Sequence, residues 1–137
     1  QKLFFSSVYY LGLKSVFSDE KIELKGKNVL LLTGIANSAN IIDYISDKSK
    51  IIKHLEYPDH HNYRVKDIKN IIREWNSIES TEKLILTTEK DAVKLQLFKL
   101  KFEGVTMCYL PIEIKFQGKN NFNDLILNYV EENNFDN

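Results

Sequence analysis

The sequence predicts an α/β domain of Rossmann-like type, with three layers and a mainly parallel sheet, led in by an extended N-terminal segment. Three observations carry this expectation. From Asn28 onward, short runs of β-branched residues and leucine alternate with longer stretches of helical period, the rhythm of βαβ units. The strand-like runs are mostly apolar, as strands covered on both faces are. Their C-terminal ends carry polar turns containing Gly, Thr, Asp and His, which is where open α/β sheets place their chemistry.

The first 27 residues lie outside this rhythm. The extended Phe4–Leu13, with aromatic residues at Phe4, Phe5, Tyr9 and Tyr10, is followed by the charged, glycine-punctuated Ser18–Lys27. Residues 1–27 therefore read as a linker with one strand in it, and residues 28–137 as the domain. Strands are predicted at Val29–Thr33, Lys50–Glu56, Lys83–Thr87 and Val105–Leu110. Ile41, Ile42 and Ile45 mark a helix after Asn37. Ile68, Ile71, Ile72, Trp75 and Ile78 recur at helical spacing over Lys66–Glu79, with Lys69, Arg73, Glu74 and Asn76 left for the opposite face. Ala92, Val93, Leu95 and Phe98 give a further helix, starting near Thr88, its core face. Ile112–Phe116 alternates as a strand and is expected to pair with Phe4–Tyr10, joining the two ends of the chain. Phe122, Leu125, Ile126, Tyr129 and Val130 predict a last helix before the polar tail 131–137.

A length of 137 residues suits one domain with its own core. The 19 basic and 19 acidic side chains cancel, which argues against nucleic acid as a partner, since polyanion binders carry a basic excess. Cys108 is the sole cysteine and lies in an apolar run. It cannot form an internal disulfide and is expected as a buried thiol in a reducing compartment. No apolar run approaches the roughly 20 residues that span a bilayer, and the start lacks the features of a secretory signal. A soluble protein is expected. The opening at Gln1, directly in strand-like sequence, suggests a piece of a longer chain.

Three strand ends offer candidate chemistry. Tyr57-Pro58-Asp59-His60-His61 places a carboxylate and two imidazoles in one turn. An imidazole titrating near pH 6.5, its tautomer set by a carboxylate, can act as a general base near neutrality. The plainer account is a turn capped by Asp59 with both histidines solvated. A zinc site would need four ligands, and His54 and Cys108 bring no ligand spacing to it. In Thr88-Glu89-Lys90-Asp91, Thr88 and Asp91 suit a capping box with Asp in place of Glu. Thr87, Glu89 and Lys90 would then stand at the mouth of the sheet, near where a helix start can hold a phosphate. Thr33-Gly34-Ile35-Ala36-Asn37-Ser38 reads as a strand-to-helix turn, with Gly34 allowing a tight bend and Asn37 or Ser38 as the cap. Neither a glycine-rich dinucleotide fingerprint nor a G-x-x-x-x-G-K-[ST] phosphate loop occurs in the chain.

Taken in order, Leu30-Leu31-Leu32-Thr33-Gly34-Ile35-Ala36-Asn37, Tyr57-Pro58-Asp59-His60-His61 and Thr87-Thr88-Glu89-Lys90-Asp91-Ala92-Val93-Lys94-Leu95 resemble the C-terminal domain of the tetraacyldisaccharide 4'-kinase family, the lipid A kinases of Gram-negative bacteria. The resemblance implies a two-domain enzyme whose N-terminal P-loop domain, absent here, binds ATP and magnesium. The implied reaction moves the γ-phosphoryl group to the 4'-hydroxyl of a disaccharide lipid at the cytoplasmic face of the inner membrane. The family pattern implies that His60 deprotonates that hydroxyl with an aspartate of the missing domain, while Asp59 orients the turn. His61, Gly34, Asn37, Thr88, Glu89 and Lys90 are expected near substrate or nucleotide from their places at the strand ends, and the resemblance implies no metal or cofactor held by this piece alone. Ser38 departs from the proline expected there, and a serine can cap a helix as proline preorganises one. Two other readings compete with the kinase. One is a binding or lid module without a catalytic group. The other is a manganese-dependent phosphoesterase of the Asp-His-His kind, for which Thr33-Gly34 and Thr87-Thr88 offer no metal-binding aspartates.

Overall fold

The computed structural model describes residues 5–10 and 12–116. In chain order its elements are β1 (Phe5–Tyr10), β2 (Lys14–Ser15), β3 (Asn28–Thr33), α1 (Ala39–Ser46), β4 (Lys50–Glu56), α2 (Val65–Ser77), β5 (Lys83–Thr88), α3 (Glu89–Leu95), a 3₁₀ segment Gln96–Phe102, β6 (Met107–Leu110) and β7 (Ile112–Phe116). The helix expected around Phe122–Val130 lies outside the described residues, as do the side chains of Phe4, Phe5, Tyr9 and Tyr10. The chain divides into two compact units, residues 12–111 and residues 1–11 with 112–137. In the smaller unit β1 and β7 run antiparallel, pairing Tyr10 with Ile112 and Val8 with Ile114, as the alternating pattern of Ile112–Phe116 predicts.

In the larger unit the sheet order is β2-β6-β5-β3-β4, with β3 to β6 parallel and β2 antiparallel on one edge. From β3 the chain steps outward to β4, then returns across β3 to β5 and continues to β6. Right-handed crossovers in opposite directions put α1 on one face and α2 and α3 on the other, which makes the three layers. The side chains agree. Leu30, Leu32, Leu55, Ile85 and Met107 form one core with Ile68, Ile71 and Trp75 of α2 and Ala92 and Leu95 of α3. Val29, Leu31, Leu84 and Leu86, which alternate with them, are also wholly buried, and Ile41 and Ile45 of α1 are buried too.

Three elements differ from the expectation of strands covered on both faces and a helix packed on Val93. β4 is an edge strand, so Lys50, Ile52 and Lys53 are exposed, and Lys53 pairs with Glu74 at 2.8 Å. Exposed lysines on a free edge hinder pairing with other chains. α3 ends early and passes into the 3₁₀ segment, turning Val93 outward to 66% exposure while Ala92 and Leu95 stay inside. Residues Lys14–Ser15 add the edge strand β2, and Val16 and Leu24 are buried in the same unit. α2 is closed at its C-terminus by Lys83, whose Nζ donates to the carbonyls of Trp75 and Ile78 at 2.8 and 2.9 Å and lies over the Trp75 ring.

Candidate functional site

Because β3, β4 and β5 are parallel neighbours, their C-terminal ends lie along one edge, and the strand order reverses between β3 and β5. That reversal is the switch point at which open α/β sheets form a crevice. Gly34 follows β3 there, while Thr88 ends β5 and Glu89–Asp91 follow it. Asp91, 1% exposed, holds them together. Its Oδ2 accepts the Gly34 backbone N–H at 2.9 Å and the Thr88 hydroxyl at 2.6 Å, while Oδ1 accepts the Tyr63 hydroxyl at 3.0 Å. The Asp91 N–H in turn donates to Thr88 Oγ1 at 3.1 Å. One carboxylate therefore joins the ends of two central strands to the loop that follows β4. Burial pushes the Tyr63 hydroxyl far above the usual tyrosine range, and the Asp91 charge adds to this, so Tyr63 stays a proton donor. The T-x-x-D pattern makes the Thr88 half of this cluster legible in the sequence. The bond to Gly34, 57 residues away, has no local signal.

Gly34 is not in the left-handed backbone region, so the tight bend expected of it is not why glycine stands there. A Cβ at this position would lie 2.8 Å from Asp91 Oδ1, 3.3 Å from the Tyr63 hydroxyl and 3.4 Å from the Pro58 carbonyl oxygen. Glycine is needed because three groups converge on it. Gly34→Ala is expected to cost about 1–3 kcal/mol, the usual range for overpacking, read as a lower urea midpoint at unchanged m-value. An unshifted midpoint would mean that Asp91 can move aside. Nearby, the Thr87 hydroxyl donates to the Leu32 carbonyl and Thr33 Oγ1 lies 2.7 Å from His54 Nε2, so both strand-end threonines serve the sheet.

The turn after β4 is closed by the His61 N–H donating to the Pro58 carbonyl at 3.1 Å. His60 has φ 61°, the only positive φ of a non-glycine residue among the described residues. Such a position usually takes Gly or Asn. The conformation lifts the His60 side chain to 80% exposure, with Nε2 3.5 Å from Asp59 Oδ2. His61 goes the other way. Its ring stacks on Tyr57 at 4.6 Å and meets Tyr63 edge-on at 4.9 Å, and its Nε2 lies 3.0 Å from Asp67 Oδ2. Burial pushes the Asp67 carboxyl up, but the Arg64 N–H and His61 outweigh it and hold it below the usual range. Lys94 Nζ adds a bond to the His61 carbonyl at 2.7 Å. The turn is thus braced from below through His61, Tyr63 and Asp91 while His60 stays outside.

Around His60 lies an open depression lined by Asp59, Asn62, Arg64 and Lys66. Tyr63, Arg64 and Lys66 are additions to the residues singled out from the sequence, and Asp91, expected there only as a cap, is the centre of the cluster. Arg64 and Lys66 follow the turn closely enough to be found by looking for cations beside the imidazole. Asn37 is exposed, and its Oδ1 accepts the Ala39 N–H at 2.9 Å, so it supplies the side-chain bond at the start of α1, where Ser38 makes none. Glu89 and Lys90 are exposed on the first turn of α3. Two roomier depressions lie elsewhere, one lined by Asn28, Lys50, Ser77 and Ser80 at the amino edge of the sheet, the other by Phe17, Ile22, Lys99 and Val105. Neither contains the residues that converge on Gly34. Among the described residues no three His, Cys, Asp or Glu side chains are grouped as a metal site.

The family model described as tetraacyldisaccharide-1-P 4'-kinase matches residues 4–131. The tetraacyldisaccharide 4'-kinase of Bacteroides fragilis is 34% identical over 97% of this chain and 39% of its own length. That of Parabacteroides distasonis is 36% identical over 96% of this chain and 38% of its own length. The chain therefore spans about two fifths of the curated relatives it matches. The fold is similar to that of the ATP complex of LpxK from Aquifex aeolicus, with a TM-score of 0.53 and 18% identity over 89% of this chain and 34% of that one. The three strand-end motifs thus stand on the fold they imply, and the chain belongs to the tetraacyldisaccharide-1-P 4'-kinase family.

Proposed function

We propose that this chain is the C-terminal α/β domain of an ATP-dependent lipid kinase that phosphorylates the 4'-hydroxyl of a tetraacyldisaccharide 1-phosphate in lipid A biosynthesis. In this reading residues 1–27, which also supply β2 to the sheet, lead in from an N-terminal P-loop domain to the domain of residues 28–137. The observation that carries the reading is the His60 imidazole, exposed at the carboxyl edge of the sheet on a backbone that the buried Asp91 cluster supports. Family membership and the names of the relatives give the substrate class.

His60 takes the proton of the 4'-hydroxyl as that oxygen attacks the γ-phosphorus, and the bond to the leaving diphosphate breaks. Asp59, 3.5 Å away, orients the ring and stabilises it once protonated. Arg64 and Lys66 on the rim offset negative charge on the substrate. His61 fixes the turn through its ring contacts, Gly34 and Thr88 position the edge through Asp91, and Asn37, Glu89 and Lys90 stand near substrate or nucleotide. With no phosphate loop in these residues, ATP and Mg²⁺ are held by the other domain, where they supply the phosphoryl group and neutralise its charge. The protein works at the cytoplasmic face of the inner membrane as a peripheral enzyme. No helix among the described residues is long and apolar enough to cross a membrane.

Incubating the full-length protein with the tetraacyldisaccharide 1-phosphate, Mg²⁺ and γ-labelled ATP tests this. Label at the 4'-position is expected, and none from the 137-residue chain alone. No label with the full-length protein overturns the kinase, and label with the short chain overturns the division of labour.

A further inference from the structure

The three most exposed large hydrophobic side chains among the described residues are Val93, Leu97 and Leu100, at 66, 85 and 90%. They follow one another along one stretch of chain. Val93 and Leu97 are four residues apart across the end of α3, and Leu100 comes just after a kink at Phe98 in the 3₁₀ segment. The segment that presents them is pinned from behind. Phe102 is buried and stacks on Phe17 at 5.6 Å, and the Gln96 side chain donates to the Val16 carbonyl at 3.1 Å. Ala92–Phe102 contains Lys94, Lys99 and Lys101 and no acidic residue, within a chain of zero net charge.

We infer that this exposed stretch is a contact with an anionic phospholipid surface. Exposed aliphatic residues interleaved with lysines suit a layer of acyl chains under negative headgroups. A protein partner fits less well, because the centre of a protein interface is depleted in lysine. The strip is short, so binding is weak and reversible, and the two leucines carry most of it. Its start adjoins the candidate site, since Lys94, next to Val93, holds the His61 carbonyl. A lipid substrate would meet the His60 turn beside the surface that carries it. In this respect the inference rests on the lipid-kinase reading.

The test uses the full-length protein and substrate-free vesicles, with and without phosphatidylglycerol in phosphatidylcholine, read by co-sedimentation. Wild type is expected to prefer the anionic vesicles and to weaken as salt rises. Leu97→Gln with Leu100→Gln should lower binding about tenfold. Lys99→Gln with Lys101→Gln should lower it by a similar factor on anionic vesicles only. Both pairs should leave turnover on detergent-dispersed substrate unchanged. Unaltered vesicle binding in both pairs overturns the inference. So does a change in oligomeric state or detergent-phase turnover in the leucine pair, which would mean that the face packs against protein. Vesicle binding that depends on these residues in a protein without 4'-kinase activity supports the surface and sinks only the kinase reading.

Discussion

Asp91→Ala is expected to destabilise the domain by about 3–5 kcal/mol. The carboxylate is 1% exposed and accepts from the Gly34 N–H, the Tyr63 hydroxyl and the Thr88 hydroxyl. Removing it strands two buried donors, the Gly34 N–H and the Tyr63 hydroxyl, each costing about 1–3 kcal/mol. A small cavity adds to this. Thr88 can turn to other acceptors or to water, because it is partly exposed. Asp91→Asn keeps the shape but sets an amide N–H₂ against groups that are donors, so it should recover part of the loss and not all of it. Urea unfolding of the two variants against wild type reads both effects as midpoint shifts. A loss below about 1 kcal/mol for Asp91→Ala would mean that water replaces the carboxylate, and the bracing of the turn through Tyr63 would fall with it.

His60→Ala in the full-length enzyme is expected to lower kcat by about 10²–10⁴, the usual contribution of a positioned acid or base, with KM little changed. Alanine suits φ 61° less well than histidine, which is among the residues enriched in the left-handed region, so this variant also loses some stability. His60→Asn separates the two effects, since asparagine tolerates the left-handed region but is not a base near neutrality. If His60 is the base, both variants lose turnover and the Asn variant keeps wild-type stability. Near-normal turnover in His60→Asn would make His60 a turn residue and place the base in the other domain. His61→Ala should behave differently. It removes a ring stacked on Tyr57 and a partner of Asp67, so stability should drop before chemistry does.

Most of the fold was legible because local physics decides it. Leu30, Leu31 and Leu32 are uniformly apolar and form a central strand; Ile68, Ile71 and Trp75 recur at helical period and form the inner face of α2. Lys50–Glu56 and Ile112–Phe116 appear within the expected bounds. What misled was neighbourhood. The sheet order leaves β4 on an edge, where its Lys50, Lys53, His54 and Glu56 suit it and the expectation of cover on both faces does not, and Val93 has the apolarity of a core residue on a helix too short to keep it inside. Periodicity records how a segment is built and cannot record which elements come to stand beside it.

The candidate site divides along the same line. By itself the sequence determined that the polar residues Thr33-Gly34, Asp59-His60-His61 and Thr88-Asp91 follow parallel strands, and therefore that they share one edge. Only the tertiary structure decided which of two adjacent histidines faces solvent, what Gly34 is for, and where the carboxylate of Asp91 goes. A backbone dihedral at His60, an aromatic stack under His61 and a bond between residues 57 apart set those outcomes. The bond from Gly34 to Asp91 depends on groups brought within hydrogen-bond reach by packing, at a separation in the chain over which neighbouring residues carry no information.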